Sequence, residues 1–261
     1  MPALTRLFAW LDRVLGGGAE VSAPPARLSP VRPSRARGPL ASAASLAVDG
    51  GGQFLLCGGE RLTLGHLRAG QADLGFLADV GALHAVLERA ESLLEGPGWR
   101  IAPCEGEAVR VDGRPLGPEG RRLAHGARVR LGENLEFLVE LPDPASASAV
   151  LEILHGVECA GARRLVLFAP GAGGRVRVGS TLAHLVRVPG LDFELVLERT
   201  EAGLELRSEV PLRREGSAPE SEESEHLRLD FPPRAHEAFT AGRPRGSRPP
   251  FGFSLEPVAF P

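Results

Sequence analysis

The apolar residues of this chain arrive in runs of two to four, roughly ten residues apart, and from residue 46 onward no run extends into the 3.6-residue period of a long helix. The first series is Phe54-Leu55-Leu56, Leu62-Thr63-Leu64, His84-Ala85-Val86-Leu87, Trp99-Arg100-Ile101, Val109-Arg110-Val111, Val129-Arg130-Leu131 and Phe137-Leu138-Val139, with Gly, Pro and Asp between the runs. A strand that short is stable only when paired with others over a common core, so the pattern predicts an all-β sandwich or barrel. Ala82 to Leu94 also suits a helix by propensity. Val86-Leu87-Glu88-Arg89 nevertheless fits a half-buried strand, and the stretch is assigned as one.

Pro142-Asp143-Pro144-Ala145-Ser146 interrupts the series, and a second begins at Leu151-Glu152-Ile153-Leu154. The second echoes the first. Arg61-Leu62-Thr63-Leu64-Gly65 corresponds to Arg175-Val176-Arg177-Val178-Gly179, and Val86-Leu87-Glu88-Arg89 to Val196-Leu197-Glu198-Arg199 after nearly equal intervals. Leu135 to Val139 likewise resembles Phe251 to Leu255, although the acidic stretch from Glu215 to Glu225, expected to be a disordered loop, precedes the second copy. A chain of 261 residues can bury two modest cores. Two tandem β-sandwich domains are therefore expected, over residues 44–142 and 150–261.

Residues 1–15 follow a different rule. Leu4, Leu7, Phe8, Leu11, Val14 and Leu15 recur at helical spacing, and Gly16-Gly17-Gly18 ends the run. A short amphipathic helix is expected there, with Leu4, Leu7, Phe8, Leu11 and Leu15 forming a face that docks on a partner, followed by a flexible linker over residues 16–43 rich in Gly, Pro, Ala, Ser and Arg. Asp12 and Arg13 break the apolar stretch, which argues against a secretory signal and for the cytoplasm. No apolar run approaches the roughly 20 residues needed to cross a bilayer, so stable membrane insertion is not expected. A net charge of -3 gives no field for nucleic acid. Cys57, Cys104 and Cys159 have neither pairing nor metal-ligand spacing and are expected to be buried free thiols.

Leu64-Gly65-His66, Ala72-Asp73-Leu74, Leu83-His84-Ala85-Val86-Leu87, Val111-Asp112-Gly113-Arg114 and the stretch from Leu123 to Gly132 follow one another in an order that resembles a forkhead-associated domain. The resemblance covers about Leu46 to Leu141; the second half resembles the same family weakly. It implies a β-sandwich whose loops at one end recognise phosphothreonine peptides, with no cofactor, metal or catalysis. It also places the family's contact positions. The loop arginine falls at His66, which lacks a permanently charged fork. The phosphate-binding serine falls at Gly81, which has no hydroxyl, and the ligand-holding asparagine at Asp112, which adds negative charge; Gly81 also reads as a turn residue and Asp112-Gly113 as a hairpin turn. His84 matches the histidine that braces the loops. Arg68 and Arg114 read as ordinary surface arginines, with replacement phosphate ligands as the alternative. In the second half Gly179-Ser180 stands at the arginine position and Glu194 near the histidine.

No nucleophile beside a base, carboxylate pair or metal-ligand spacing is visible, and Gly171-Ala172-Gly173-Gly174-Arg175 lacks the Lys and Ser or Thr of a phosphate-cradling loop. The expected function is a non-catalytic adaptor that binds other proteins, with phosphothreonine-peptide recognition as the alternative.

Overall fold

A computed structural model describes residues 43–92, 96–142, 147–169, 174–200, 202–216, 224–242 and 250–258. The helix expected over residues 1–15, with Leu4, Leu7, Phe8, Leu11 and Leu15, and the linker lie outside them. Among the described residues there are twenty strands, one 3-10 turn (Leu67–Ala69) and no α-helix, so the all-β expectation holds. The helical competitor between Ala82 and Leu94 is strand Ala85–Ser92.

The first half runs β1 (Ala43–Val48), β2 (Gly52–Cys57), β3 (Arg61–His66), β4 (Leu74–Phe76), β5 (Ala85–Ser92), β6 (Gly96–Pro103), β7 (Val109–Val111), β8 (Arg114–Pro115), β9 (Arg121–Arg122), β10 (Arg128–Leu131) and β11 (Leu135–Glu140). The second runs β12 (Ala149–His155), β13 (Arg164–Leu167), β14 (Arg175–Gly179), β15 (Val186–Arg187), β16 (Leu195–Arg199), β17 (Leu204–Arg214), β18 (Ser224–Leu229), β19 (Glu237–Ala241) and β20 (Phe251–Pro257). Ser224 and Glu225, expected in the disordered acidic loop, open β18 instead.

The corresponding segments of the two halves pair in the same register. In the first, β3 lies antiparallel to β5 with Arg61 opposite Glu88 and Leu62 opposite Leu87; in the second, β14 lies antiparallel to β16 with Arg175 opposite Glu198 and Val176 opposite Leu197. Each then takes a short parallel neighbour, β4 on β3 and β15 on β14. The cross-strand pairs Arg61–Glu88 (3.1 Å) and Arg175–Glu198 (3.5 Å) join an exposed arginine to a half-buried glutamate, so they match register more than they add stability.

The halves are not separate units. β11 closes on β12, and β20 closes on β1, so each half's opening hairpin lies in the wall of the other. β2 and β13 join the two hairpins in parallel, Leu55 beside Leu165 and Leu56 beside Val166. One sheet of fifteen strands results, while β4, β3, β5, β6 and β9 form a second sheet of five. The boundary expected between residues 142 and 150 is crossed by the hydrogen bonding of β11 to β12.

Because both faces of this junction are covered, its strands read as continuous apolar runs instead of alternating ones. Leu55, Cys57, Leu165 and Leu167 enter the first core, which also holds Phe76, Trp99 and Phe137. Their sequence neighbours Phe54, Leu56, Val166 and Phe168 enter the second, with Phe239 and Phe253. The second core needs no separate sheet. β17 pairs with β16 through residues 204–208 and with β19 through residues 212–214, and its register breaks between Arg207 and Leu212. Pro211, with no N–H to give a ladder, sits at this bend, and its carbonyl accepts the Gly242 N–H at 2.9 Å.

Candidate functional site

The end of the first half at which β3 stops and β5 starts gathers most of the residues singled out by the sequence. His66 donates its N–H to the Gly81 carbonyl (2.8 Å), and His84 donates its N–H to the Leu64 carbonyl (2.8 Å). The 81–84 segment thereby hooks across the end of β3, and a Cβ on Gly65 would stand 2.1 Å from the Ala82 carbonyl oxygen. That closeness is why glycine precedes His66. Behind it, the Thr63 N–H and hydroxyl both donate to the Asp73 carboxylate at 2.8 Å, and the Asp73 N–H donates back to the hydroxyl at 2.8 Å, fixing the loop that carries Arg68.

His84 is buried. Its Nε2 faces the Ala108 carbonyl at 3.0 Å, and since a carbonyl only accepts, Nε2 carries a proton. Nδ1 faces the Gly81 N–H at 3.1 Å and a Glu107 carboxylate oxygen at 2.7 Å. His84 thus links the 77–84 loop to the 104–108 loop. The other Glu107 oxygen lies so close over Gly81 that a Cβ there would stand 2.0 Å from it. The space a serine side chain would need at Gly81 is filled by a carboxylate.

Asp112 and Arg114 are elsewhere. Asp112 and Gly113, at φ 53° and 76°, form the two-residue turn joining β7 to β8, a conformation open to Asp and Gly at low cost. Asp112 exchanges hydrogen bonds with the backbone of Arg128, at the start of β10, whereas Gly132, just past its end, sits against the Asp79 carbonyl oxygen. Four residues of strand, about 13 Å, separate those two points. Asp112 therefore does not face Gly81 or His84, and neither it nor Arg114 belongs to this end of the sandwich. In its place stands Glu107, which the sequence reading missed. Its only signal was position: it is a long polar side chain in the short Cys104–Ala108 connection directly before β7.

Beside the latch opens a cleft of about 420 Å³ lined by His66, Arg68, Leu77, Asp79, Asn134 and Val157. The second half has its own cleft, of about 490 Å³, lined by Phe193, Phe251, Pro189 and Pro211 with Asp49 from the exchanged β1–β2 turn. Glu194 occupies the position before β16 that His84 holds before β5, as the sequence expected. It accepts from Arg177 Nε (2.9 Å) and His184 Nε2 (2.9 Å), while the Thr181 N–H points at His184 Nδ1 (3.0 Å). Burial pushes the Glu194 carboxyl up, but the Arg177 and His184 hydrogen bonds outweigh it and hold the group below its ordinary range.

The three cysteines are buried and unpaired. Burial raises all three thiols, Cys159 to about 12, so none is a ready nucleophile. Among the described residues no group of His, Cys, Asp and Glu is arranged to hold a metal, and no helix is long and apolar enough to cross a membrane.

No family model matches this chain, and no curated protein is similar enough to count as a relative. Among solved structures, it is similar to the forkhead-associated domain of MEK1, crystallised with a HOP1 phosphothreonine peptide, at 15% identity over 34% of this chain and 89% of that one, with a TM-score of 0.25. A likeness of that size carries no argument, and the functional reading rests on the side chains described above.

Proposed function

We propose that this chain is a non-catalytic protein-interaction module of two interleaved forkhead-associated-like sandwiches, the first of which has lost the usual phosphothreonine pocket. The observation that supports this reading is Glu107. Its carboxylate covers Gly81 and contacts His84, so an incoming phosphate would meet a negative charge and find no hydroxyl. The absence of an arginine fork at His66 points the same way. In this reading the segment 1–15, through Leu7, Phe8 and Leu11, is a further partner-docking element, and the unpaired thiols fit a reducing compartment such as the cytoplasm.

A second reading, a phosphothreonine reader using His66 and Arg68, is favoured only by the cleft they line. Titrating the full chain with matched phosphothreonine and threonine peptides separates the two. The interaction-module reading expects no gain from the phosphate. A phosphate-dependent gain of about tenfold, equal to 1.4 kcal/mol, that disappears in Arg68→Ala would establish the reader instead.

A further inference from the structure

We infer that the cleft at the loop end of the first half is a composite docking groove for an unphosphorylated peptide segment presenting a carboxylate next to an aliphatic side chain. This deepens the interaction-module reading and rests on it. Leu77 and Val157 are 45% and 49% exposed, two of the three large apolar side chains so exposed among the described residues, and both line this one cleft. Single exposed apolar residues are ordinary, but two flanking one concavity provide an anchor site for an aliphatic side chain.

The polar side is equally specific. Arg68 is exposed, has no ion-pair partner among the described residues, and is the one permanent cation in the lining. Asp79 stands in the same lining, so the local field accommodates a single carboxylate on Arg68 and opposes a doubly charged phosphate. His66 and Asn134 leave side-chain donors and acceptors available to the peptide backbone.

The walls are held in place before any ligand arrives. Gly132, at φ 56°, presses the turn that carries Asn134 against the loop that carries Asp79, because a Cβ on it would stand 2.1 Å from the Asp79 carbonyl oxygen. Gly156, at φ 117°, seats the Val157 loop on Leu135, 2.8 Å from its Cδ1 by the same measure. Such preorganisation lowers the entropy lost on binding. Val157 follows β12, the strand that the second half lends to the first, so the groove is complete only when both halves are present.

The test uses the full chain, nitrogen-15 labelled, and a capped synthetic peptide with one glutamate followed by one leucine in a glycine–serine background. Addition of the peptide is expected to shift the backbone amides of Leu77, Asn134 and Val157. Arg68→Glu and Val157→Asp, both at exposed positions and checked by an unchanged dispersed spectrum, are each expected to weaken binding about tenfold. Arg68→Glu is also expected to reverse the preference toward a peptide with lysine in place of glutamate, which loss of structure would not produce. Shifts confined to other residues, wild-type affinity in both variants, or no shift at millimolar peptide would each overturn the groove. None of these results would touch the evidence of Glu107 at Gly81, whereas a phosphate-dependent gain in the earlier titration would remove the interaction-module reading itself.

Discussion

The loop ends of the two halves start from one register and finish differently. β3 with β5 and β14 with β16 pair residue for residue, yet the position before the second strand is His84 in one and Glu194 in the other. His84 reaches out to Glu107 on the next loop and leaves a polar cleft open beside the latch. Glu194 is satisfied by Arg177 and His184 of its own half, and the cleft nearby is lined by phenylalanine and proline. The matching strand register sets where the loops emerge, while the side chain before the second strand differs, His84 contacting Glu107 at one end and Glu194 pairing with Arg177 and His184 at the other.

The largest effect should come from cutting the chain at its sequence boundary. A fragment of residues 43–142 loses Leu151, Ile153, Leu165 and Leu167 from its core, side chains worth roughly 1.5 to 3 kcal/mol each, against a domain stability of about 5 to 15 kcal/mol. It should show no cooperative unfolding by circular dichroism. A fragment of residues 58–169, which keeps the lent hairpin β12–β13, should retain more dispersed amide signals than 43–142. The opposite ranking would mean that the exchanged hairpins contribute little and that the halves fold independently.

A finer cut is made by two adjacent leucines. Leu55 and Leu56 are both fully buried, one in each core. Leu→Ala at either is expected to cost about 2 to 5 kcal/mol. Hydrogen exchange should then accelerate chiefly in β5 and β6 for Leu55→Ala, and in β16 and β20 for Leu56→Ala. Equal acceleration everywhere in both variants would show that the shared wall makes the two cores one cooperative unit.

Much of this was legible in the sequence, and the misses have physical causes. The strands announced themselves because Val109-Arg110-Val111 and Val129-Arg130-Leu131 alternate between core and solvent. The hairpin exchange was signalled too, by the unbroken runs Phe54-Leu55-Leu56-Cys57 and Leu165-Val166-Leu167-Phe168-Ala169, since only a strand buried on both faces can be apolar at every position. Periodicity does not say which partner covers each face. The family resemblance placed Asp112 among the ligand contacts, whereas the hairpin turn that the Asp112-Gly113 pair also signals is what forms, at the end away from His84. Val157 left no trace as a groove residue, because it reaches Leu77 from eighty residues away through a hairpin whose destination is a tertiary fact.

Gly81→Ser should have a smaller but informative effect. Its side chain would collide with Glu107, so the substitution is expected to cost about 1 to 3 kcal/mol, as overpacking usually does. Glu107→Ala in the same chain should recover most of that loss by removing the obstacle, and a double-mutant cycle in chemical denaturation reads the coupling directly. Additive losses would show that Glu107 swings aside freely and does not fill the serine position.

The smallest effect, and the one particular to the second half, is a pH dependence at Glu194. The hydrogen bonds from Arg177 and His184 overcome burial and hold its carboxyl below the ordinary range in the folded chain, and those partners are gone in the unfolded chain. A group whose folded pKa is depressed stabilises the fold at pH above its unfolded value, about 4.3, and that stabilisation disappears as pH falls through the lower folded value. The folded protein should therefore lose stability on acidification partly through this residue. Because the Glu194 side chain is only partly buried and still reaches solvent, screening keeps the contribution modest. Glu194→Gln keeps the shape and removes the charge, so it should be less stable than the wild type near neutral pH and should converge with it as the pH falls below the ordinary carboxylate range. Denaturation midpoints measured between about pH 7 and 3 follow the convergence, and raising the salt concentration should shrink the gap at neutral pH. Parallel curves for the two proteins would mean that the Arg177 and His184 contacts serve packing alone, and the contrast between a latch at His84 and an ion-paired carboxylate at Glu194 would then rest on geometry without charge.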